Sequence, residues 1–444
     1  MNDELAPNNE CSLITSHTKE KIVQHVKDVA NRINLETSSG EIADDNKFVG
    51  LDLASGYPGF CLLYGELDYL FPDEGWDRKG HQLLLKINNN LQKTGNLSNC
   101  SLWTGLTGLS LGFLSLSRGG IRYQNSLNQL HSILYKKIPV LIQNAYNNLK
   151  KGVRIEDYDT ISGLTGIGRY LLLIYKNYPK FRKYLIDILE YLVLLATEKV
   201  ILGEKVPGWY ISKVNSDKYF NSSPKGHFNC GLSHGISGPL SLLSLSLKQG
   251  VIVEGQKEVI NKIAYWLLRW RQKNEYGETL PGVLDWTEIK KGKLMVNSRP
   301  NYSWCYGEPG IARALWLAGE ALGEQDLKEE SLYLFKTFNQ QPIKKWNINS
   351  NAICHGIAGM LILSNVMYND CQLEDIDSLR FNLVSTLMKS FNFEYQYCFR
   401  NFNEELIASK QSPGVLDGAA GIALALLTLI SNSQSNWTSI FLVS

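Results

Sequence analysis

Two cysteines and a histidine of this chain are residue types that could form a zinc site. Cys305 lies two residues before a glycine, and Cys354 and His355 lie directly before another. Thiolate and imidazole are soft to borderline ligands, which favour Zn²⁺ over Mg²⁺ or Ca²⁺. Three protein ligands would leave a fourth coordination position open for chemistry. The chain has no CxxC motif, so a buried thiol beside an ordinary histidine stays open as the alternative.

Another histidine, His234, directly precedes a glycine in the same way and is the candidate acid–base residue. Histidine changes its charge near neutral pH, which suits proton transfer beside a metal. The alternative is a structural histidine at the start of a helix. His227 and Cys230 lie just upstream and compete for the role, but they fall outside the position that His234 shares with the candidate ligands.

Three further residues are candidates to assist this chemistry. Asp159 is either the N-cap of a helix or a carboxylate that orients the imidazole of His234. Arg299 lies six residues before Cys305 and is either a solvated loop cation or a group that stabilises an oxyanion. Tyr306 directly follows Cys305, and its position suits packing better than catalysis.

The elements that position these residues follow from seven pairs of glycines, each pair three residues apart and followed by an apolar run. The pairs are Gly56/Gly59, Gly105/Gly108, Gly163/Gly166, Gly235/Gly238, Gly307/Gly310, Gly356/Gly359 and Gly418/Gly421. Such self-similarity is typical of repeat proteins. We call the two residues before each first glycine a slot. Because equivalent positions of a circular repeat meet at one mouth of the ring, we expect the candidate ligands to meet there.

Two kinds of helix alternate along the chain. Amphipathic segments are predicted at 20–34, 80–94, 128–149, 181–198, 256–273, 326–338 and 376–391. More apolar segments follow the glycine pairs, where glycine permits close backbone approach and unusual dihedral angles. A helix that is apolar on most sides is an inner helix, and an amphipathic one is an outer helix. The sequence therefore predicts an all-α fold, an α/α toroid of seven inner and seven outer helices in one domain over residues 1–444.

The two longest intervals between successive glycine pairs contain extra residues that do not resemble helix. Residues 203–229 and 277–301 carry β-formers bounded by glycine and proline. These stretches flank His234 and Cys305 in sequence. We therefore expect a small β-rich insertion that caps the mouth where the candidate ligands meet.

The composition of the chain narrows the classes of partner. Lys and Arg number 45 against 43 Asp and Glu in 444 residues, which gives a formal charge of +2 without a basic block. This balance argues against a nucleic-acid partner. No apolar stretch approaches the roughly 18 residues of a membrane span, and no secretory signal begins the chain. We expect a cytoplasmic protein without a transmembrane segment, whose eight cysteines are reduced.

Three strings around the slots resemble the signature segments of the lanthionine synthetase C-like family, most closely its stand-alone lantibiotic cyclases of the nisin and subtilin type. They are Ser-His-Gly-Ile-Ser-Gly at 233–238, Trp-Cys-Tyr-Gly-Glu-Pro-Gly at 304–310 and Cys-His-Gly-Ile-Ala-Gly at 354–359. Together with the glycine pairs between 56 and 421, the resemblance covers nearly the whole chain. It implies a seven-fold α/α toroid that holds one zinc ion.

The resemblance also implies roles for individual residues. The zinc ligands would be Cys305, Cys354 and His355, with His234 as the acid–base histidine, Asp159 as its acidic neighbour and Tyr306 close to the metal. The active-site arginine of the family corresponds to Asn301 here, and Arg299 is the nearest arginine. The role of Arg299 is therefore the least supported of these assignments.

A member of this family would close thioether rings by adding peptide cysteine to dehydroalanine or dehydrobutyrine. The implied partners are a dehydrated precursor peptide with its leader, a dehydratase and an ABC exporter. The implied location is the cytoplasm, at most peripheral at the inner face of the membrane. The chain has no P-loop or dinucleotide fingerprint, in agreement with a reaction that needs neither nucleotide nor redox cofactor.

Two other classes of function stay open. A zinc prenyltransferase also combines an α/α barrel with a zinc thiolate, but it needs a basic pocket for a diphosphate, and the slots contain no Lys or Arg. A non-catalytic peptide-binding scaffold would keep the metal for structure alone. The presence of His234 argues against the scaffold.

Overall fold

The computed structural model describes residues 13–39, 49–94, 97, 99–215, 223–274, 277–295, 302–346, 348–399, 412–430 and 437–444. Most of these residues are helical, and the strands are short. Among them, no helix is both long and apolar enough to cross a bilayer.

Seven apolar helices of the described chain form a closed inner ring. They are Tyr57–Leu70, Leu106–Ser115, Leu164–Ile174, Ser237–Lys248, Glu308–Leu322, Ile357–Cys371 and Ala419–Leu427. Each begins one or two residues after the first glycine of a pair, and most of its residues are buried. Consecutive inner helices contact each other, and the last contacts the first. The predicted ring of seven inner helices is confirmed.

Seven amphipathic helices of the described residues form the outer layer. They are Ser16–Ser39, Trp76–Thr94, Gln124–Lys151, Arg182–Leu195, Gln256–Leu268, Gln325–Asn339 and Glu374–Ser390. Six of them pack against the inner helix that precedes them in the chain. The first, Ser16–Ser39, packs instead against the last inner helix, Ala419–Leu427. The toroid is therefore closed by its first and last helices.

The second glycine of each pair is required by close backbone approach. A Cβ atom at Gly359 would lie 2.0 Å from the carbonyl oxygen of Ile353, and one at Gly421 would lie 1.9 Å from that of Val415. Dihedral freedom matters less than expected, because Gly307 alone among the seven first glycines has a positive φ, 90°. Glycine is used here mainly because the start of each inner helix folds back onto the loop before it.

The described part of the β-rich segments contains six short strands: β1 Glu198–Ile201, β2 Glu204–Pro207, β3 His227–Asn229, β4 Gln272–Asn274, β5 Gly277–Thr279 and β6 Val283–Asp285. They form three antiparallel pairs, β1 with β2, β3 with β6, and β4 with β5. The β3–β6 pair joins the two predicted β-rich segments. The assignment of all residues 1–444 to one domain stays a prediction.

The β-rich segments begin earlier than the sequence predicted. Two outer helices end at Leu195 and Leu268 rather than near 198 and 273, and strands follow at once. At the first site the cause is a two-residue turn, Leu202-Gly203, in which both residues have positive φ (49° and 82°). Such a turn matches the twist of a hairpin and draws the flanking residues into strands. The second segment also contains a short helix, Trp286–Lys291.

Residues 437–444 fill the centre of the ring below the mouth. The indole Nε1 of Trp304 donates to the carbonyl of Phe441 at 2.9 Å. Arg313 Nε donates to the carbonyl of Val443 at 2.6 Å. The rings of Trp103 and Trp304 come from non-adjacent repeats, yet their centroids are only 6.2 Å apart. In the described chain the axis of the toroid is therefore packed with side chains at this level.

Candidate active site

The seven slots are joined into a ring by hydrogen bonds between backbone groups. The bonds run from the N–H of Leu53 to the C=O of Trp103, Trp103 to Ile161, Thr160 to Ser233, Leu232 to Cys305, Cys305 to Cys354, Cys354 to Leu416, and Leu416 to Ala54, at 2.8–3.4 Å. Each repeat is therefore tied to the next at the same depth. This ring explains why residues far apart in sequence meet at one mouth.

The two candidate cysteine ligands lie side by side. Cys305 N–H donates to the carbonyl of Cys354 at 3.2 Å, and the two thiols also contact each other. The hydroxyl of Ser303 lies 3.5 Å from the sulfur of Cys305. Cys305 is 6% exposed, whereas the adjacent His355 has a side chain that is 55% exposed. The two thiols thus form the inner wall of the site and the imidazole forms its rim.

The hydrogen bond between the two thiols shifts their pKa values in opposite directions. The hydrogen bond from Cys354 lowers the pKa of Cys305, against the opposing effect of burial. The same bond, burial and the charge on Cys305 raise the pKa of Cys354 well above its usual value. Cys305 is therefore the more acidic thiol of the pair, and a bound cation would stabilise the thiolate form of both.

The residues present suit a zinc ion. Cys354, His355 and Asp417 offer donor atoms that all lie within 4.8 Å of one another, and the thiol of Cys305 adjoins that of Cys354. Two thiols and an imidazole are a donor set that favours zinc over the harder divalent cations. The choice of soft ligands did not single out Asp417, although it directly precedes Gly418 just as His355 directly precedes Gly356.

His234 and Asp159 form a tight pair beside the thiols. Nδ1 of His234 lies 2.6 Å from Oδ2 of Asp159. The other carboxylate oxygen accepts hydrogen bonds from the backbone N–H groups of Ser162 at 2.7 Å and Gly163 at 2.6 Å. The two oxygens of Asp159 therefore have separate partners: one accepts from the loop directly before the inner helix, whose N-cap Gly163 has no side-chain cap, and the other orients the imidazole. The side chain of Asp159 is 1% exposed and that of His234 is 37% exposed.

Tyr306 connects the acid–base pair to the β-rich cap. Its hydroxyl accepts a hydrogen bond from Nδ2 of Asn229 at 3.0 Å, and its ring centroid lies 6.3 Å from that of His234. Burial raises the pKa of the Tyr306 phenol, so the hydroxyl stays protonated at neutral pH. Asn229 belongs to strand β3, so the cap contributes directly to the wall of the site.

Glu308, a residue that the sequence pattern did not single out, also joins the cap to the ring. It is 2% exposed, and its Oε1 accepts a hydrogen bond from the backbone N–H of Leu280 at 3.2 Å. Burial raises the pKa of this carboxyl to about 8. Its position directly after Gly307, at the start of an inner helix, was the available signal.

The remaining candidates are either buried or outside the described residues. His227, in strand β3, is fully buried, and burial lowers its pKa to about 4. Cys230 is 1% exposed, and burial raises the pKa of its thiol. Neither is therefore placed for proton exchange with a substrate. Arg299 and Asn301 lie outside the described residues, so the position of the candidate arginine stays a prediction.

The fold and the ring of slots define a recognised class of protein. Residues 47–442 match the family described as lanthionine synthetase C-like protein. The match covers most of the chain, and the chain belongs to this family.

Two individual proteins are similar to the chain. The nisin biosynthesis protein NisC of Lactococcus lactis subsp. lactis is 26% identical over 382 residues, which are 85% of each chain. The solved structure of a nisin cyclase superposes with a TM-score of 0.79 at 25% identity, covering 95% of this chain and 98% of the other. The similarity therefore extends over nearly the whole toroid.

Proposed function

We propose that the protein is a zinc-dependent lanthionine cyclase, which adds cysteine thiols of a dehydrated peptide to dehydroalanine or dehydrobutyrine. The observation that carries the proposal is the meeting of a thiol–imidazole ligand set and a carboxylate–imidazole pair at one mouth of the toroid. Family membership and the similarity to a nisin biosynthesis protein and a nisin cyclase support it.

Cys305, Cys354 and His355 would hold the zinc ion in this proposal. When bound, zinc would supply the positive charge that lets a substrate thiol react as its thiolate at neutral pH. Cys305 is already the more acidic thiol of the pair, so it is the first to give up its proton on metal binding. The rim position of His355 leaves the site accessible to a peptide from the mouth.

His234 would deliver the proton that completes the reaction. The peptide thiol loses its proton, its sulfur bonds to the β-carbon of the alkene, and the α-carbon gains a proton. Because Nδ1 of His234 is engaged with Asp159, Nε2 is the nitrogen that faces the substrate. Asp159 stabilises the imidazolium and holds the ring in one orientation, as a carboxylate does for a catalytic histidine. A fixed donor protonates one face of the α-carbon and so sets its configuration.

The β-rich cap and Tyr306 would hold the peptide over this site. Asn229 and Glu308 tie the cap to the mouth, so a peptide that enters the site must pass the cap. Arg299 would stabilise negative charge on the carbonyl oxygen during addition. The further partners in this proposal are the leader of the precursor, a dehydratase and an ABC exporter, which would bring the protein to the inner face of the membrane.

The direct test combines metal analysis with ring formation. Elemental analysis of the purified protein should find one zinc per chain, and Cys354→Ala should lose it. Cys371→Ala is the matched control, because Cys371 ends the same inner helix far from the slots and should leave zinc unchanged. Thiol alkylation followed by mass spectrometry should then show loss of free cysteine on a dehydrated precursor. No zinc, or no thiol loss with zinc bound, would contradict the proposal.

The same assay separates the proposal from the two other classes of function. Thiol loss without any prenyl diphosphate excludes a prenyltransferase reaction, since no prenyl donor is present. Thiol loss with no change in peptide mass indicates addition within the peptide. A non-catalytic scaffold would bind the peptide and leave every cysteine open to alkylation.

A further inference from the structure

Asp417 is the only acidic residue in the slots of the seven repeats. It directly precedes Gly418, just as His355 directly precedes Gly356, so the two residues occupy equivalent positions in adjacent repeats. The backbone N–H of Cys354 donates to the carbonyl of Leu416 at 2.9 Å and holds these two slots side by side. A negative charge is thereby fixed beside the candidate metal site.

The carboxylate of Asp417 faces the imidazole of His355. Its Oδ1 lies 3.7 Å from Nδ1 of the ring. The two side chains are 57% and 55% exposed, so a small rotation of either would close this distance to a hydrogen bond of about 2.8 Å. With Nδ1 directed at the carboxylate, Nε2 is the nitrogen left to coordinate a metal.

We propose that Asp417 is a positioning residue for His355: it accepts the Nδ1–H of the ring, fixes its tautomer and orientation, and so directs Nε2 at the zinc ion. The inference rests on the proposed function, because it assumes that Cys305, Cys354 and His355 hold zinc. A carboxylate behind a ligating imidazole makes that imidazole a stronger ligand. His355 is the most exposed of the three ligands, so it depends most on such support.

The zinc dissociation constant measures this role independently of catalysis. Wild type, Asp417→Asn and Asp417→Glu are compared as full-length proteins by competition for zinc with a chromogenic chelator. Asp417→Asn should bind zinc about 10–100-fold more weakly, the range found when such partners are removed. Asp417→Glu keeps the charge and should recover part of the affinity. Circular dichroism of each variant confirms that it is folded.

The matched control is Asp52→Asn, the same chemical change in the loop of the first repeat, two residues before its slot. Oδ1 of Asp52 accepts hydrogen bonds from the N–H of Ser55 at 2.7 Å and from its hydroxyl at 2.9 Å. Asp52 lies two repeats away from the repeat of His355, with the last repeat between them, and its loss should leave zinc affinity unchanged. If zinc binding depended only on the total negative charge at the mouth, Asp52→Asn and Asp417→Asn would both weaken it. That result would overturn the proposal.

Two further results would overturn it. Equal zinc affinity in Asp417→Asn and wild type would remove Asp417 from the site while leaving the zinc ligands and the cyclase function intact. A Co²⁺ spectrum of Asp417→Asn that reports one protein ligand fewer than wild type would make Asp417 a direct ligand instead. The failure of the proposed function is distinct, because wild type itself would then bind no zinc or would leave the cysteines of a dehydrated peptide open to alkylation.

Discussion

The mouth of the toroid contains two carboxylate–imidazole pairs that differ in nearly every physical respect. Asp159 and His234 are 2.6 Å apart, and the carboxylate is 1% exposed. Asp417 and His355 are 3.7 Å apart, and both side chains are more than half exposed. In both pairs Nδ1 is the ring nitrogen that contacts the carboxylate.

The difference follows from what anchors each carboxylate. Asp159 accepts two backbone N–H groups in its own loop, which fix it before the imidazole is considered. Asp417 follows Leu416, whose backbone is tied to the ring, but the side chain of Asp417 is 57% exposed. A fixed pair suits a proton donor, which must hold one orientation through the reaction. A looser pair suits a ligand whose final position is completed by a metal ion.

The largest expected effect separates the two histidines. His234→Asn should keep zinc and fold but lower the rate of cyclisation by about 10²–10⁴-fold, the usual contribution of a positioned proton donor. His355→Ala should instead lose zinc. Thiol alkylation gives the rate, and chiral analysis of the lanthionines shows whether protonation has become unselective. Wild-type speed with one stereoisomer in His234→Asn would exclude it as the donor.

A smaller loss of cyclisation rate is expected when only the carboxylate of Asp159 is neutralised. Asp159→Asn can still accept the N–H groups of Ser162 and Gly163, but it no longer stabilises the imidazolium. The rate should fall on the order of 10–10²-fold, less than the loss of the imidazole itself. Asp52→Asn, which changes the corresponding loop carboxylate of the first repeat, should keep full activity. Similar losses in both variants would mean that Asp159 matters only for the loop.

Tyr306→Phe tests whether the β-rich cap affects the Asp159–His234 pair. The change removes the hydroxyl that accepts from Asn229 and keeps the ring beside His234. One hydrogen bond contributes about 0.5–1.5 kcal/mol, so the rate should fall by no more than about tenfold. Zinc content should stay the same. A loss as large as that of His234→Asn would make Tyr306 a proton donor rather than a wall residue.

Removal of the metal should have the smallest effect on the fold. The inner helices are held by burial of apolar side chains and by the ring of backbone hydrogen bonds, and neither requires a bound metal. Chelation should therefore leave the helical circular dichroism and its thermal transition nearly unchanged, with the Asp159–His234 pair still in place. Cooperative loss of helix on chelation would show that the metal stabilises the whole toroid.

The sequence could predict the toroid and the composition of the site because both follow from one repeated pattern. The glycine pairs located all seven inner helices, and the slots brought Cys305, Cys354 and His234 to one mouth. The ends of two outer helices could not be predicted in the same way. The first of these ends depends on the turn at Leu202-Gly203, in which Leu202 has a positive φ. The local sequence does not predict a positive φ at a leucine.

The finer geometry of the site depended on contacts between repeats. Asp159 was ambiguous in sequence because a carboxylate four residues before a glycine can bind its own loop or another repeat, and its two oxygens do both without capping the helix. Asp417 was overlooked because an acidic residue before a glycine is common at helix starts, and only the hydrogen bond between Cys354 and Leu416 places it beside His355. Glu308 accepts a hydrogen bond from Leu280 in the cap. The periodic pattern of the sequence does not show which ring residues contact the cap.

Closure of the toroid by its first and last helices has a consequence for the order of events in folding. The helix Ser16–Ser39 meets Ala419–Leu427, so the final contact joins residues from opposite ends of the described chain. Contacts between residues so far apart in sequence form late and lower the rate of folding. During synthesis the cysteines of the fifth and sixth repeats leave the ribosome before the last repeat does. The nascent chain therefore exposes a thiol pair before Asp417 and the first repeat complete the ring around it.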